Sequence, residues 1–183
     1  WLARLTGTNA ARLTGAVAEA FCGPGDELFL PYLSGERTPH NNANARGSFT
    51  GLSQLSDARS MAQAVLEGVS FAIRDCQRVL SDAGTTIDSL IAVGGGSKSD
   101  LWLEIIATNL GMEIKVPASG DFGAAFGAAR LALIAATGAD PQAVCTPPEI
   151  AKTIAPRDDL RAAYDHHYSR YRALYPAIEE ARS

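Results

Sequence analysis

The stretch from Ile91 to Trp102 constrains this chain more than any other. Leu90 to Val93 is short and aliphatic, Gly94, Gly95 and Gly96 follow without a break, and Leu101, Ile105, Ile106 and Leu110 then recur at helical spacing. A buried strand, a glycine turn and a helix is the order this pattern dictates. Ser97 with Asp100 three residues on predicts a capping pair, which puts the helix start directly after the glycines. Two uses fit such a turn. Without Cβ atoms it lets backbone approach a flat or anionic ligand, and the helix start offers unpaired N–H groups and the positive end of a dipole. A plain tight β-to-α connection needs the same residues, and the triplet alone leaves the two readings level.

At 183 residues, 46% hydrophobic and 20% charged, the chain is long enough to bury a core of its own, and one domain over 1–183 is the expectation. A net charge of −4 with no Lys/Arg cluster argues against a nucleic-acid partner. Cys22, Cys76 and Cys145 are odd in number and lack metal-ligand spacing, which points to reduced thiols in the cytoplasm. No apolar run approaches the length of a membrane span, and His166-His167 falls in a polar helical tail, where a solvated face is expected rather than a metal site. The sequence opens at Trp1 without Met and goes directly into a helical pattern, so we read it as a piece of something longer.

Along the chain, opening helices stop at Cys22-Gly23-Pro24-Gly25, and Leu28 to Leu33 reads as a buried strand. Ser34 to Asn42 is a polar loop that gathers Glu36, Arg37, Thr38 and His40, a set suited to binding or to contact between domains. Asn44 to Leu52 predicts a second short strand. Ser56 to Ala83 is the clearest helix, with Met61, Val65, Val69, Ile73, Cys76 and Leu80 as its apolar stripe and Glu67-Gly68 as an interruption. A helix-face Glu67 paired with an arginine is the expected arrangement there. Met112, Ile114 and Val116 alternate as a half-buried strand ended by Pro117. Gly120 to Ala132 predicts a helix of small residues, whose Gly123 and Gly127 share a face suited to close packing. Thr137 to Pro156 reads as a connector, and 157–183 as a C-terminal surface helix with Tyr164, Tyr168, Tyr171 and Tyr175 near one stripe.

Taken together, Phe29-Leu30-Pro31-Tyr32-Leu33-Ser34-Gly35-Glu36-Arg37-Thr38-Pro39-His40, Ala45-Arg46-Gly47 with Gly51-Leu52, Ala64 to Val69, Gly94 to Ser99 with Trp102, and Gly127-Ala128-Ala129 resemble, in order and spacing, the C-terminal domain of the FGGY carbohydrate kinases. The resemblance is close from Trp1 to about Ala132 and looser beyond. It implies an α/β fold of the actin-like ATPase, ribonuclease H-like class, truncated at its N-terminal strands. It also implies an ATP-dependent, Mg2+-assisted transfer to a pentulose such as D-xylulose at the 5-hydroxyl. Gly95, Gly96 and Ser99 carry over as adenosine-site residues, so the glycine turn becomes the wall of a nucleotide cleft rather than a phosphate cradle. The family's catalytic aspartate and its phosphate-binding Gly-Thr hairpin have no counterpart in these 183 residues, and no catalytic residue is expected here. The chain alone is therefore expected to be inactive, because phosphoryl transfer depends on positioning and on neutralising charge around the phosphates. Missing hairpin strands would leave a sheet edge open to self-association as a homodimer.

Two other readings compete. A dinucleotide-binding oxidoreductase also opens on strand, glycine turn and helix, but G-x-G-x-x-G spacing is absent and the turn sits mid-chain. A non-catalytic actin-like binding module would keep the fold without the chemistry. A P-loop is excluded, since no G-x-x-x-x-G-K-[ST] occurs.

Overall fold

A computed structural model of the chain describes residues 1–118 and 123–182. Its organising element is α3 (Ala58–Asp82), opened by a capping box in which Asp57 accepts from the Ser60 N–H at 2.8 Å and the Ser60 hydroxyl accepts from the Asp57 N–H at 3.1 Å. Around it lie α1 (Leu2–Leu5), α2 (Ala10–Ala20), α4 (Asp100–Leu110) and α7 (Asp158–Arg182). β1 (Leu28–Leu30) pairs antiparallel with β2 (Ser48–Thr50), with Leu28 opposite Thr50. A second sheet runs β3 (Leu90–Ile91), β4 (Ile114–Pro117), β5 (Ile150–Ile154), parallel at the first seam and antiparallel at the second. α5 (Ala124–Thr137) and the single turn α6 (Pro141–Val144) lie between β4 and β5.

Two apolar clusters result, and α4 serves both. Ile105 joins Val17, Leu30, Leu66, Phe71 and the α7 tyrosines, while Leu103 and Ala107 pack with Ile114 and Val116 of the second sheet. A helix between two cores needs apolar residues on both faces, and Leu101 to Leu110 has them.

The buried face of α3 differs from the expected stripe. Ile73 and Leu80 are exposed and Val65 and Val69 half-buried, whereas Gln63, Glu67, Phe71 and Asp75, four apart, are buried. Apolar periodicity points to one neighbour, but α3 is covered by β1, α2, α4 and α7, and polar side chains serve where their partners are brought to them. Glu67 and Gly68 are what seat β1. A methyl carbon at Gly68 would stand 2.1 Å from the Phe29 carbonyl oxygen, so only glycine lets the strand lie this close. Among the described residues Glu67 has no arginine partner. Its carboxylate, 1% exposed, accepts from the Gly25 N–H at 3.2 Å, from Gln63 at 3.0 Å and from the Tyr164 hydroxyl at 3.2 Å. Burial pushes this carboxyl up to about 7 against an ordinary 4.5, with the three donors opposing the rise.

Two further expectations change, and a third gains detail. The C-terminal helix lies over the domain with most of its residues exposed or half-buried, and its Tyr stripe packs inward. Tyr164, Tyr168 and Tyr171 surround Phe71, and the hydroxyls of Tyr168 and Tyr171 meet Asp75 at 2.5 Å and the Tyr32 hydroxyl at 3.1 Å. The connector after Thr137 holds α6 and β5, whose Ala- and Lys-containing strand shows no burial alternation because it is a solvent-facing partner of β4. The small-residue helix forms from Ala124, while its expected start at Gly120, Asp121 and Phe122 lies outside the described residues. Among the described residues neither Gly123 nor Gly127 has an atom within 4 Å of an added Cβ, so the expected close packing is not made with them.

Gly68→Ala should cost about 1–3 kcal/mol or more by urea denaturation, since backbone must move to admit the methyl. Glu67 sets a pH dependence of definite sign. Between 4.5 and about 7 the folded chain holds a proton that the unfolded chain has released, so this contribution is full below 4.5 and is lost as pH rises through about 7. The loss is of order 3 kcal/mol. His167 opposes it, because burial, then Arg170 and His166, hold its imidazole below the usual range. Urea melts at pH 5 and pH 8 on the wild type and Glu67→Gln isolate the carboxyl, and the Gln variant should lose much less between the two.

Candidate functional site

The glycine turn is a short 3-10 segment, Gly95–Lys98, ahead of α4. The helix therefore starts two residues later than the expected capping pair placed it, with the cap at Ser99 rather than Ser97. Ser99 is the cap, its hydroxyl accepting from the Trp102 N–H at 3.3 Å, while the Ser97 hydroxyl turns back to donate to the Gly94 carbonyl at 2.7 Å. Ser97 is a turn residue because three glycines cannot hold their own conformation, and a side-chain bond across the turn stands in for that stiffness.

Opposite the turn stands α2, capped by Asn9, whose side chain accepts from the Arg12 N–H at 2.9 Å. Val17 faces the core. Ala11, Gly15 and Ala18, spaced four and three apart, form a smooth stripe on another side. Between that stripe and Gly95, Gly96 and Ser99 lies a cleft of about 640 Å³. All three expected site residues thus line one cleft. The Gly95 backbone is bare towards it, with no atom within 4 Å of an added Cβ.

Gly96 is placed differently. A Cβ there would stand 2.6 Å from the Trp102 ring, which packs directly beneath the turn. The indole is held in turn by its N–H, which donates to the Leu66 carbonyl of α3 at 3.0 Å. On the far side of the turn a smaller apolar groove of about 260 Å³, shared by Gly96 and Trp102, runs between Ile73, Val93 and Ile106.

The cleft's chemistry is that of a binding surface. Peptide planes, methyl groups, Leu101 and Trp102 make its walls, Lys98 is exposed, and the carboxylate lining it, Asp100, is bridged to Lys152 at 2.5 Å. Among the described residues no group of three His, Cys, Asp or Glu is placed to hold a metal ion. The polar loop from Ser34 to Asn42 lines no part of this cleft. It is pinned to α7, with His40 stacked on Tyr175 at 3.6 Å and the Asn42 amide donating to Tyr175 at 2.9 Å and Glu179 at 2.8 Å. Sequence reasoning missed the α2 wall and the Trp102 lock. The i, i+4, i+7 spacing of Ala11, Gly15 and Ala18 was visible, but nothing in one sequence says that such a stripe faces a glycine turn some eighty residues on.

The profile of the FGGY family of carbohydrate kinases, C-terminal domain, matches residues 6–136. The chain belongs to this family. This FGGY chain is 38% identical over 183 residues to the xylulose kinase of Escherichia coli strain K12, covering 100% of itself and 36% of that protein. Among solved structures it is similar to a xyloylose kinase from Brucella ovis, at 56% identity and TM-score 0.90, with 99% of this chain and 37% of that one covered. It is also similar to the xylulose kinase from Rhodospirillum rubrum, at 31% identity and TM-score 0.80, with 98% and 37% covered. The chain thus spans little more than a third of these relatives' length. The fold is that of the actin-like, ribonuclease H-like class, and the dinucleotide-binding alternative gives way to it. Among the described residues no helix is long and apolar enough to cross a membrane.

Ser99→Ala should lower stability by about 1 kcal/mol in urea melts, while Ser99→Asp, which keeps an acceptor at the cap and adds charge at the positive end of α4, should hold it.

Proposed function

We propose that this chain is the nucleotide-binding part of an ATP-dependent sugar kinase that converts D-xylulose to D-xylulose 5-phosphate in the cytoplasm. The observation that carries the nucleotide reading is the cleft in which the bare backbone of Gly95, with Gly96 packed on Trp102 beside it, lies across from the small-residue stripe of α2. A purine fits between two such smooth walls, and Ser99 stands where the ribose edge would meet the helix start. The sugar assignment rests on relatives named xylulose kinase and stands apart from the geometry.

Transfer needs a base, a grip on the phosphates and a cation between them. The donor set required to hold Mg2+ is not assembled among the described residues, so no step is routed through the ion here. This chain's own share is to seat the adenosine and orient the phosphates outward past Lys98. By itself it does not phosphorylate sugar.

Calorimetric titration with ADP tests the reading. The wild-type chain should bind ADP in preference to NAD. Gly95→Val, whose Cβ meets no described atom within 4 Å and whose branches add bulk to a residue lining the cleft, should weaken binding about tenfold or more while leaving the urea midpoint close to wild type. A coupled assay should detect no sugar-dependent ADP release from the 183 residues. NAD preference would overturn the adenosine assignment of the cleft, no nucleotide binding would favour a bare module, and kinase turnover would end the claim of inactivity.

A further inference from the structure

Trp102 lines this cleft, and its packing does more than supply wall. Its ring closes the underside of the turn so tightly that position 96 has no room for a methyl, and its N–H is spent on a carbonyl of another helix. Its backbone N–H is the one that Ser99 caps. One residue therefore touches the turn from below, ends the turn at the helix start, and fastens both to α3. The carbonyl it holds belongs to Leu66, the residue before Glu67, whose carboxylate anchors the segment after α2 through the Gly25 N–H. α2 is the opposite wall of the cleft, so both walls are referred to the same turn of α3.

The geometry points to Trp102 as a positioning residue for the nucleotide: held by the Leu66 carbonyl, it sets the conformation of Gly95–Lys98 and so the width of the cleft above. This rests on the adenosine reading for its consequence in binding but not for its effect on the turn. The physical reason for such a device is that three consecutive glycines lose more backbone freedom on ordering than any other triplet. A turn left free would have to be ordered by the ligand, which lowers affinity. A turn ordered in advance by a rigid indole spares the ligand that cost. The apolar groove behind the ring gives the indole somewhere to move when its N–H is released.

The test uses the 183-residue chain with Trp1→Phe, which leaves Trp102 as the single tryptophan, and Trp102→Phe and Gly96→Ala in the wild-type background, alone and together. Residue-resolved amide exchange reads the turn directly. Ser97 and Ser99 donate their N–H groups to Gly94 and Gly96 at 3.2 and 3.3 Å, and in Trp102→Phe they should exchange about fivefold to tenfold faster with α3 protection unchanged. ADP affinity at a temperature where each variant is fully folded should fall about tenfold in Trp102→Phe. Gly96→Ala should be harmful against Trp102 and mild in the double variant, because the clash is with the ring. The emission of the single Trp102 should shift on ADP titration with the calorimetric half-saturation.

Unchanged exchange at Ser97 and Ser99 in Trp102→Phe overturns the proposal whether or not ADP binds. Additive losses for the two substitutions overturn it as well. ADP binding by the wild type that Trp102→Phe retains in full removes the role in affinity while leaving the adenosine reading intact. Failure of the wild type to bind ADP, with exchange altered as expected, removes the adenosine reading and leaves Trp102 as the residue that orders the turn.

Discussion

The contact on which the rest of this structure depends is the approach of β1 to α3 at Gly68, where the Phe29 carbonyl lies against helix backbone. Because strand and helix touch there, the side chains on either side have fixed tasks. Glu67 reaches the Gly25 N–H and the Tyr164 hydroxyl, and the Leu66 carbonyl receives the Trp102 indole. Beside Gly68, which admits β1, the two preceding residues of the helix thus hold the segment after α2, the C-terminal helix and the glycine turn. Any residue larger than glycine at position 68 would lift the strand, and each of those bonds spans a distance that strand and helix set together.

Buried polar groups do much of the specifying. Glu67 and Asp75 are carboxylates on the core side of α3, each met by a tyrosine of α7, with Arg172 lying 3.6 Å from Asp75 and no cation on Glu67. An aliphatic pair would bury as much area with less electrostatic cost. What the tyrosine–carboxylate pairs add is register, since a hydroxyl must arrive within hydrogen-bond reach while a methyl may slide. The same logic fixes α7 against the core along one stripe. The Phe71 ring sits among Tyr164, Tyr168 and Tyr171, whose rings supply apolar area and whose hydroxyls need partners in the interior.

The cleft follows from this frame. One wall is backbone because glycine has nothing else to present, and the other is nearly so because α2 carries Ala and Gly where it turns away from the core. Such walls are selective for shape more than for charge, as the proposed seating of an adenosine requires. FGGY membership gives this geometry its setting.

Much of this was legible in the sequence, for reasons that are local. Glycine runs, the Asp57 cap, the aliphatic periods of α4 and β4 and the family strings depend on residues near one another, and backbone sterics and hydrogen bonding act at that range. By itself, then, the sequence determined the family, the strand, turn and helix at its centre, and the presence of Gly95, Gly96 and Ser99 at one turn. Tertiary structure alone decided which face of α3 is buried, that Glu67 takes a backbone N–H and a tyrosine in place of an arginine, that Ser99 rather than Ser97 caps α4, that the Tyr stripe is core, and that Gly127 meets open space. The physical reason is the same in each case. Burial and hydrogen bonding reward whatever group arrives, and which group arrives at Glu67 or Gly96 is set by residues some forty to a hundred positions away at Gly25 and Tyr164, and by the single ring of Trp102 that α3 holds in place.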